Sequence, residues 1–207
     1  MNDYSELYAL TSGLRSTFPL LDLSKAPWTL VGELSGFIQA MHGHPAYVEY
    51  RRVGQALIHP GAIISDSAVI DGPALISNGC ELKTNAYLRE GVMLAPGCII
   101  GSAVELKASV IGEGTALAHF NYVGNSVLGS RVNMEAGAVV ANHHNESPGK
   151  SVVINYAGDT VNTGAMKFGA LVGDDSKVGA NAVLSPGTIL LPETVVGRLA
   201  LIDQSQS

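Results

Sequence analysis

Residues 56–106 read ALIHPGAIISDSAVIDGPALISNGCELKTNAYLREGVMLAPGCIIGSAVEL. An aliphatic side chain returns at every sixth position: Ile58, Ile64, Ile70, Ile76, Leu82, Leu88, Leu94, Ile100 and Leu106. Two residues before each stands a compact one: Ala56, Ala62, Ala68, Ala74, Cys80, Ala86, Val92, Cys98 and Val104. A six-residue repeat with this placement is a strand-and-corner pattern, not a helical one. The aliphatic marker fills the interior, and the compact residue suits a tight corner. One such rung cannot bury its apolar side alone, so rungs must stack.

Outward from this stretch the phase shortens twice by one residue. Markers resume at Ile111, Leu117 and Val123, and again at Leu128, Met134 and Val140. The phase is lost over about 141–171, an excursion of a length that is often functional. It returns at Val172, Val178, Leu184, Leu190 and Val196. About seven coils of three rungs are expected, with residues 18 apart stacked on one face of an all-β protein. Cys80 and Cys98 share the compact position one coil apart and read as buried small residues rather than a disulfide or metal pair.

Residues 1–55 differ. Pro27 suits a first helical turn. Trp28, Val31, Leu34, Ile38 and Met41 follow helical spacing, and Gly43 suits a stop. "YVEYRRV" suits a short strand or linker. The expected organisation is a helical N-terminal cap over residues 1–55, covering one end of a β domain over residues 56–202.

Composition excludes several classes. The net charge is −6, and Arg51-Arg52 is the longest basic run, so nucleic acid is not an expected partner. No apolar run approaches a membrane span, so no membrane association is expected. "MNDYSELYAL" has no basic start of a secretory signal, which leaves a reduced, cytoplasmic location as the expectation. The six histidines do not suggest a metal site; His119, His143 and His144 show no convergent spacing for zinc.

The polar residues that interrupt the repeat are the functional candidates. Arg89 and Lys107 each follow a marker and lie 18 apart, so they stack as two like charges. Such a pair repels unless an anion sits beside it, which points to a phosphate or diphosphate. "AHFNYVG" at 118–124 places His119, Asn121 and Tyr122 together, and His119 adjoins the cation pair along the stack. A histidine there suits proton removal from an attacking amine or hydroxyl. Asn133 and Asn142 are amides suited to orienting a sugar or a carbonyl.

"LREG", "VELKASVIGEG" and "AHFNYVGNSVLGSRVNMEAGAVVANHH" resemble the acetyltransferase half of the bifunctional N-acetylglucosamine-1-phosphate uridyltransferase/glucosamine-1-phosphate N-acetyltransferase family. The resemblance covers about 56–142 closely, both short rungs included, and 172–198 in a generic way. It implies the left-handed parallel β-helix of hexapeptide-repeat acyltransferases and a homotrimer with sites between subunits. It implies acetyl-CoA as donor and an amino sugar phosphate, glucosamine 1-phosphate first, as acceptor. By position, His119 matches the family's catalytic base. Arg89 and Lys107 match its phosphate-holding residues, and Tyr122, Asn133 and Asn142 its sugar-site residues. Ala136, Asn142, His143 and Asp174 fall at coenzyme-contacting positions, and Lys150 is the nearest counterpart of a further lysine.

This chain departs from the pattern where His143, His144 and Asn145 replace an aromatic followed by Asp-Gly. No basic C-terminal arm is expected. Residues 1–55 hold no glycine-rich nucleotide loop, so no uridyltransferase reaction is expected. Two other readings share the scaffold: acyl transfer to another sugar or nucleotide-sugar acceptor, and a non-catalytic assembly module.

Overall fold

The computed structural model describes residues 4–204. From Ala56 onward the chain winds as a left-handed parallel β-helix with three faces and seven coils. The register gives the coil length directly. Ala56 pairs with Ala74 and Ala74 with Val92, one full coil of 18 residues apart. Val92 then pairs with Ser109, and Val110 with Val127, each one residue short. Val127 next pairs with Leu171, because the excursion is inserted between adjacent coils.

The first face carries Ala56–Ile58, Ala74–Ile76, the end of Tyr87–Leu94, the end of Glu105–Ile111, Val127–Leu128, Ala170–Val172 and Thr188–Leu190. The second face is a seven-stranded sheet running from Ile63–Ile64 to Val195–Val196. The third runs from Val69–Asp71 through Tyr122–Gly124 to Leu201–Ile202. The markers point inward and are buried in almost every coil. The compact residues accompany them on the same side, as the two-residue alternation of a strand requires, so they line the interior rather than the corner itself. Cys80 and Cys98 are fully buried free thiols that donate to the carbonyls of Ala95 and Gly112.

The N-terminal region is placed differently from the expectation. Three helices, α1 (Ser5–Ala9), α2 (Leu14–Thr17) and α3 (Pro27–Ala40), lie along the first face instead of across one end of the coil. α3 begins with Pro27 at its first position and buries Trp28, Leu30, Val31, Leu34 and Ile38. It packs on the strands Ala74–Ile76, Tyr87–Leu94 and Glu105–Ile111. The reason is the outward row of that face: Leu57, Leu75, Met93, Val110, Val127, Leu171 and Ile189. All seven are apolar and buried; α3 keeps Leu75, Met93 and Val110 from water, and the excursion hairpin packs over the strand of Ile189. Gly91 permits the close approach, since a Cβ there would lie 2.7 Å from the Ser35 amide nitrogen. A 3₁₀ turn, Pro45–Tyr47, leads to the strand Arg51–Val53, which pairs antiparallel with Ala56–Ile58.

The excursion forms an antiparallel hairpin, Val153–Tyr156 with Asp159–Asn162, that packs near Thr188–Leu190. Phe168 at its end meets Trp28, with ring centroids 5.8 Å apart, and Tyr4 meets the other side of Trp28 at 5.4 Å. Trp28 is the single tryptophan and is only 6% exposed. Its fluorescence is therefore expected to be blue-shifted in the native protein and to move red when the helices leave the first face. A native spectrum already at the solvent-exposed maximum would contradict this packing. Among the described residues, no helix is long and apolar enough to cross a membrane.

Candidate functional site

Most of the candidate residues fall on two corners of the coil, at opposite edges of the third face. Arg89, Lys107, Gly124, Asn125 and Asn142 stand at the corner joining the third face to the first, where the excursion also leaves and returns. His119 and Ala136 stand at the corner joining the second face to the third. The short strand Tyr122–Gly124, about 10 Å long, separates the two edges. His119 thus does not adjoin the cation pair along the stack, as the sequence reading had it. Lys107 and His119 are two thirds of a coil apart in sequence, and only whole coils share a corner.

At the first corner Arg89 and Lys107 stack in register. Lys107 is buried, 6% exposed. The anion that the pair requires is supplied by the chain itself. Glu90 sits at φ +58, a left-handed conformation uncommon for a non-glycine residue. Its carboxylate bridges the pair, with Oε1 2.7 Å from Arg89 Nη1 and Oε2 3.0 Å from Lys107 Nζ. Burial alone would raise the Glu90 pKa, but Lys107 and Arg89 outweigh it and hold the carboxyl below the usual range. Glu105 takes the other side of Arg89, accepting from Nε at 2.8 Å and lying 2.6 Å from Nη2.

A third cation arrives from the end of the excursion. Lys167 lies beside Lys107, whose charge pushes the Lys167 pKa below the usual lysine range. This residue was not found from the sequence, which pointed to Lys150. Lys150 lies exposed in the excursion, its amide donating to the Ser147 carbonyl.

Tyr122 and Asn142 share the rim of this corner. A Cβ at Gly124 would lie 2.5 Å from the Tyr122 hydroxyl and 2.7 Å from Asn142 Nδ2, so glycine leaves the room in which these two side chains meet. Asn142 Nδ2 donates to Asn125 Oδ1 at 2.7 Å. The Asn142 carbonyl accepts from the Phe168 amide at 2.9 Å, and Asn125's carbonyl accepts from that of Gly169 at 3.0 Å. The two ends of the excursion are thereby tied to the corner, which is how Lys167 returns to Lys107. His143 is exposed, with Nδ1 3.3 Å from Asn142 Oδ1.

At the second corner His119 is exposed. Among the described residues its imidazole has no hydrogen-bond partner. Phe120 follows it at φ +55 and is 70% exposed, an unusual setting for a bulky aromatic. The His119 carbonyl accepts from the Gly137 amide, so Ala136 lies one coil on at the same corner. Asn133 is exposed on the second face, in register with Ala116 and Lys177. It borders a shallow hollow of about 250 Å³ that Glu135, Lys177 and Arg198 also line. Asn121 is buried at the corner and donates to the Glu135 and Ala138 carbonyls.

Asp174 departs from its expected coenzyme role. It is buried, and both carboxylate oxygens are engaged: Oδ1 accepts from the Ser130 amide at 2.7 Å, and Oδ2 from the Ser12 amide at 3.0 Å and hydroxyl at 2.8 Å. Its own amide donates to the Leu10 carbonyl. Asp174 fastens the N-terminal helices to the coil. Among the described residues, no group of three His, Cys, Asp or Glu side chains is placed to hold a metal ion.

Sequence comparison places this architecture among known proteins. The profile of a family described as the GMPPB C-terminal domain matches residues 52–161. A bifunctional sugar-1-phosphate nucleotidylyltransferase/acetyltransferase from Sulfurisphaera tokodaii is 37% identical over 142 residues, covering 60% of this chain and 35% of that protein. The bifunctional protein GlmU of Heliobacterium modesticaldum is 31% identical over 156 residues, covering 72% of this chain and 31% of that protein. This chain therefore spans about a third of the length of these relatives. A perosamine N-acetyltransferase from Caulobacter crescentus, solved with CoA and GDP-perosamine, superposes with a TM-score of 0.31 at 17% identity, over 70% of this chain and 53% of that one. That superposition is too loose to carry weight here.

Proposed function

This chain belongs to the GMPPB C-terminal domain family, and on that premise we propose that it transfers an acetyl group from acetyl-CoA to the amino group of a phosphorylated sugar, with glucosamine 1-phosphate as the first candidate acceptor. The observation that carries this reading is the convergence of Arg89, Lys107 and Lys167 on one corner, with Tyr122 and Asn142 on its rim. Cations so placed suit a phosphate, and the neighbouring hydroxyl and amide suit a sugar. His119 takes the proton from the amine as its nitrogen attacks the thioester carbonyl. The C–S bond then breaks, the proton passes to the departing thiolate, and free thiol leaves. The Sulfurisphaera tokodaii relative is named for both nucleotidylyl and acetyl transfer, and the acetyl activity accords with this chemistry.

A homotrimer is part of the reading. The His119 and Lys107 corners lie at opposite edges of one face, so an acceptor held at the Lys107 corner needs a base from a neighbouring subunit's His119 corner. Exposed Phe120, next to His119, suits such a contact. Ala136 and His143 border the two corners where a donor thioester would lie; Asp174 does not fit that role.

The test is thiol release from acetyl-CoA with a panel of amino sugar phosphates, using protein whose trimeric mass has been verified by light scattering. Turnover with glucosamine 1-phosphate is the expected result. Turnover only with another sugar would keep the chemistry and change the acceptor. No turnover with any acceptor, in folded trimeric protein, would overturn the reading in favour of an assembly module.

A further inference from the structure

We propose that Glu90 is a built-in stand-in for the acceptor's phosphate: its carboxylate holds Arg89 and Lys107 in the empty site and is displaced when a phosphate dianion binds. The inference rests on the anion-binding part of the function proposed above and on nothing else in it.

Lys107 is buried, and a buried ammonium without a counter-ion is costly. A site that must be cationic to bind its ligand is therefore unstable while empty unless something replaces the ligand. Glu90 meets that need. Its two oxygens engage Arg89 and Lys107 separately, as two oxygens of one phosphate would. Its side chain is 55% exposed, so it can leave toward water at little cost. Lys107 cannot follow it, because only 7% of its side chain is accessible.

Glu90 reaches this position from a left-handed corner that Glu seldom occupies. The next residue, Gly91, also has positive φ and lets α3 approach, so the corner is fixed from both sides. Arg89 keeps Glu105 as a second partner, so losing Glu90 does not free it. Lys167 adds a third charge beside Lys107 that the single Glu90 charge does not balance. A phosphate dianion brings more charge and a third acceptor oxygen, which is why it wins.

The experiment is calorimetric titration of inorganic phosphate, and separately of glucosamine 1-phosphate, into the native protein, Glu90→Gln, Lys167→Met and Lys107→Met. Thermal melting with and without phosphate runs alongside. Glu90→Gln is expected to bind phosphate about tenfold more tightly, because removing a competing charge adds one or two exposed pairs' worth of free energy. It is also expected to melt lower than the native protein without phosphate and to regain more on adding it. Lys107→Met is expected to abolish binding, and Lys167→Met to weaken it several-fold.

Equal or weaker phosphate binding by Glu90→Gln, with binding still lost in Lys107→Met, would overturn the stand-in role and leave the anion site intact. No binding by native protein and Glu90→Gln alike would overturn both. A tenfold gain in a protein that acetylates nothing would uphold the stand-in and overturn the acetyl-transfer reading.

Discussion

His119→Ala is expected to lower kcat for acetyl transfer by about 100-fold or more while leaving the KM for either substrate within a few-fold. The reason is the division of labour between the two corners. On the proposed reading the phosphate is held by Arg89, Lys107 and Lys167, so removing the imidazole should leave ground-state binding in place. What is lost is acceptance of the amine proton as the thioester is attacked, a contribution of roughly 10²–10⁴ for general bases. Because His119 is exposed and has no hydrogen-bond partner among the described residues, its removal should leave the melting temperature unchanged. The loss would then belong to chemistry and not to folding. Lys107→Met is the converse case, raising the KM for the phosphorylated acceptor most strongly. A His119→Ala enzyme with native kcat would remove His119 from the reaction and shift attention to other groups at the two corners.

The repeat was legible because stacking imposes it residue by residue. Each marker position must be apolar, so the period survives in the sequence and fixes the coils, both short rungs and the limits of the excursion. The helix at Pro27–Ala40 was legible for the same reason, through the spacing of Trp28, Val31, Leu34 and Ile38. Its destination lay in a second pattern, the residues just before each marker. On the second face these include Glu81, Asn133 and Lys177, which suit water; on the first they are apolar throughout, from Leu57 to Ile189. A face that is apolar outside as well as inside must be covered, and reading that row would have placed the helices along it.

The site was less legible because corners carry no period. Arg89 and Lys107 were found through their one-coil spacing. Glu90, beside them, has no such partner to mark it, and its role emerges only from the left-handed corner that holds it. Lys167 follows an irregular loop whose return point depends on ties such as Phe168 to Asn142, which no periodicity records. The expected adjacency of His119 and Lys107 failed on geometry, since a spacing of 12 residues turns the chain past two corners.

Asp174→Ala is expected to cost about 1–3 kcal/mol of stability and to lower the melting temperature by about 5 °C, without changing the affinity for acetyl-CoA. The carboxylate accepts from the buried Ser130 amide and from two donors on exposed Ser12; the Ser130 amide would lose its acceptor in a packed seam, whereas water can reach the Ser12 donors. A buried donor left without its acceptor costs about 1–3 kcal/mol. The seam is where the turn between α1 and α2 meets the coil, so its loss should loosen the helices from the first face before the coil itself unfolds. Two signals would show this: Trp28 emission moving red below the main transition, and faster proteolysis within residues 1–50. Ser12→Ala removes only the hydroxyl and should cost about 1 kcal/mol. Combined with Asp174→Ala it should add almost nothing, because the shared contact is already gone. The opposite pattern, an unchanged melting temperature with weakened acetyl-CoA binding, would return Asp174 to the coenzyme site that its sequence position suggested. It would also mean that the helices are held by their apolar contacts alone, chiefly Trp28 against Phe168 and Leu34 against the Gly91 corner.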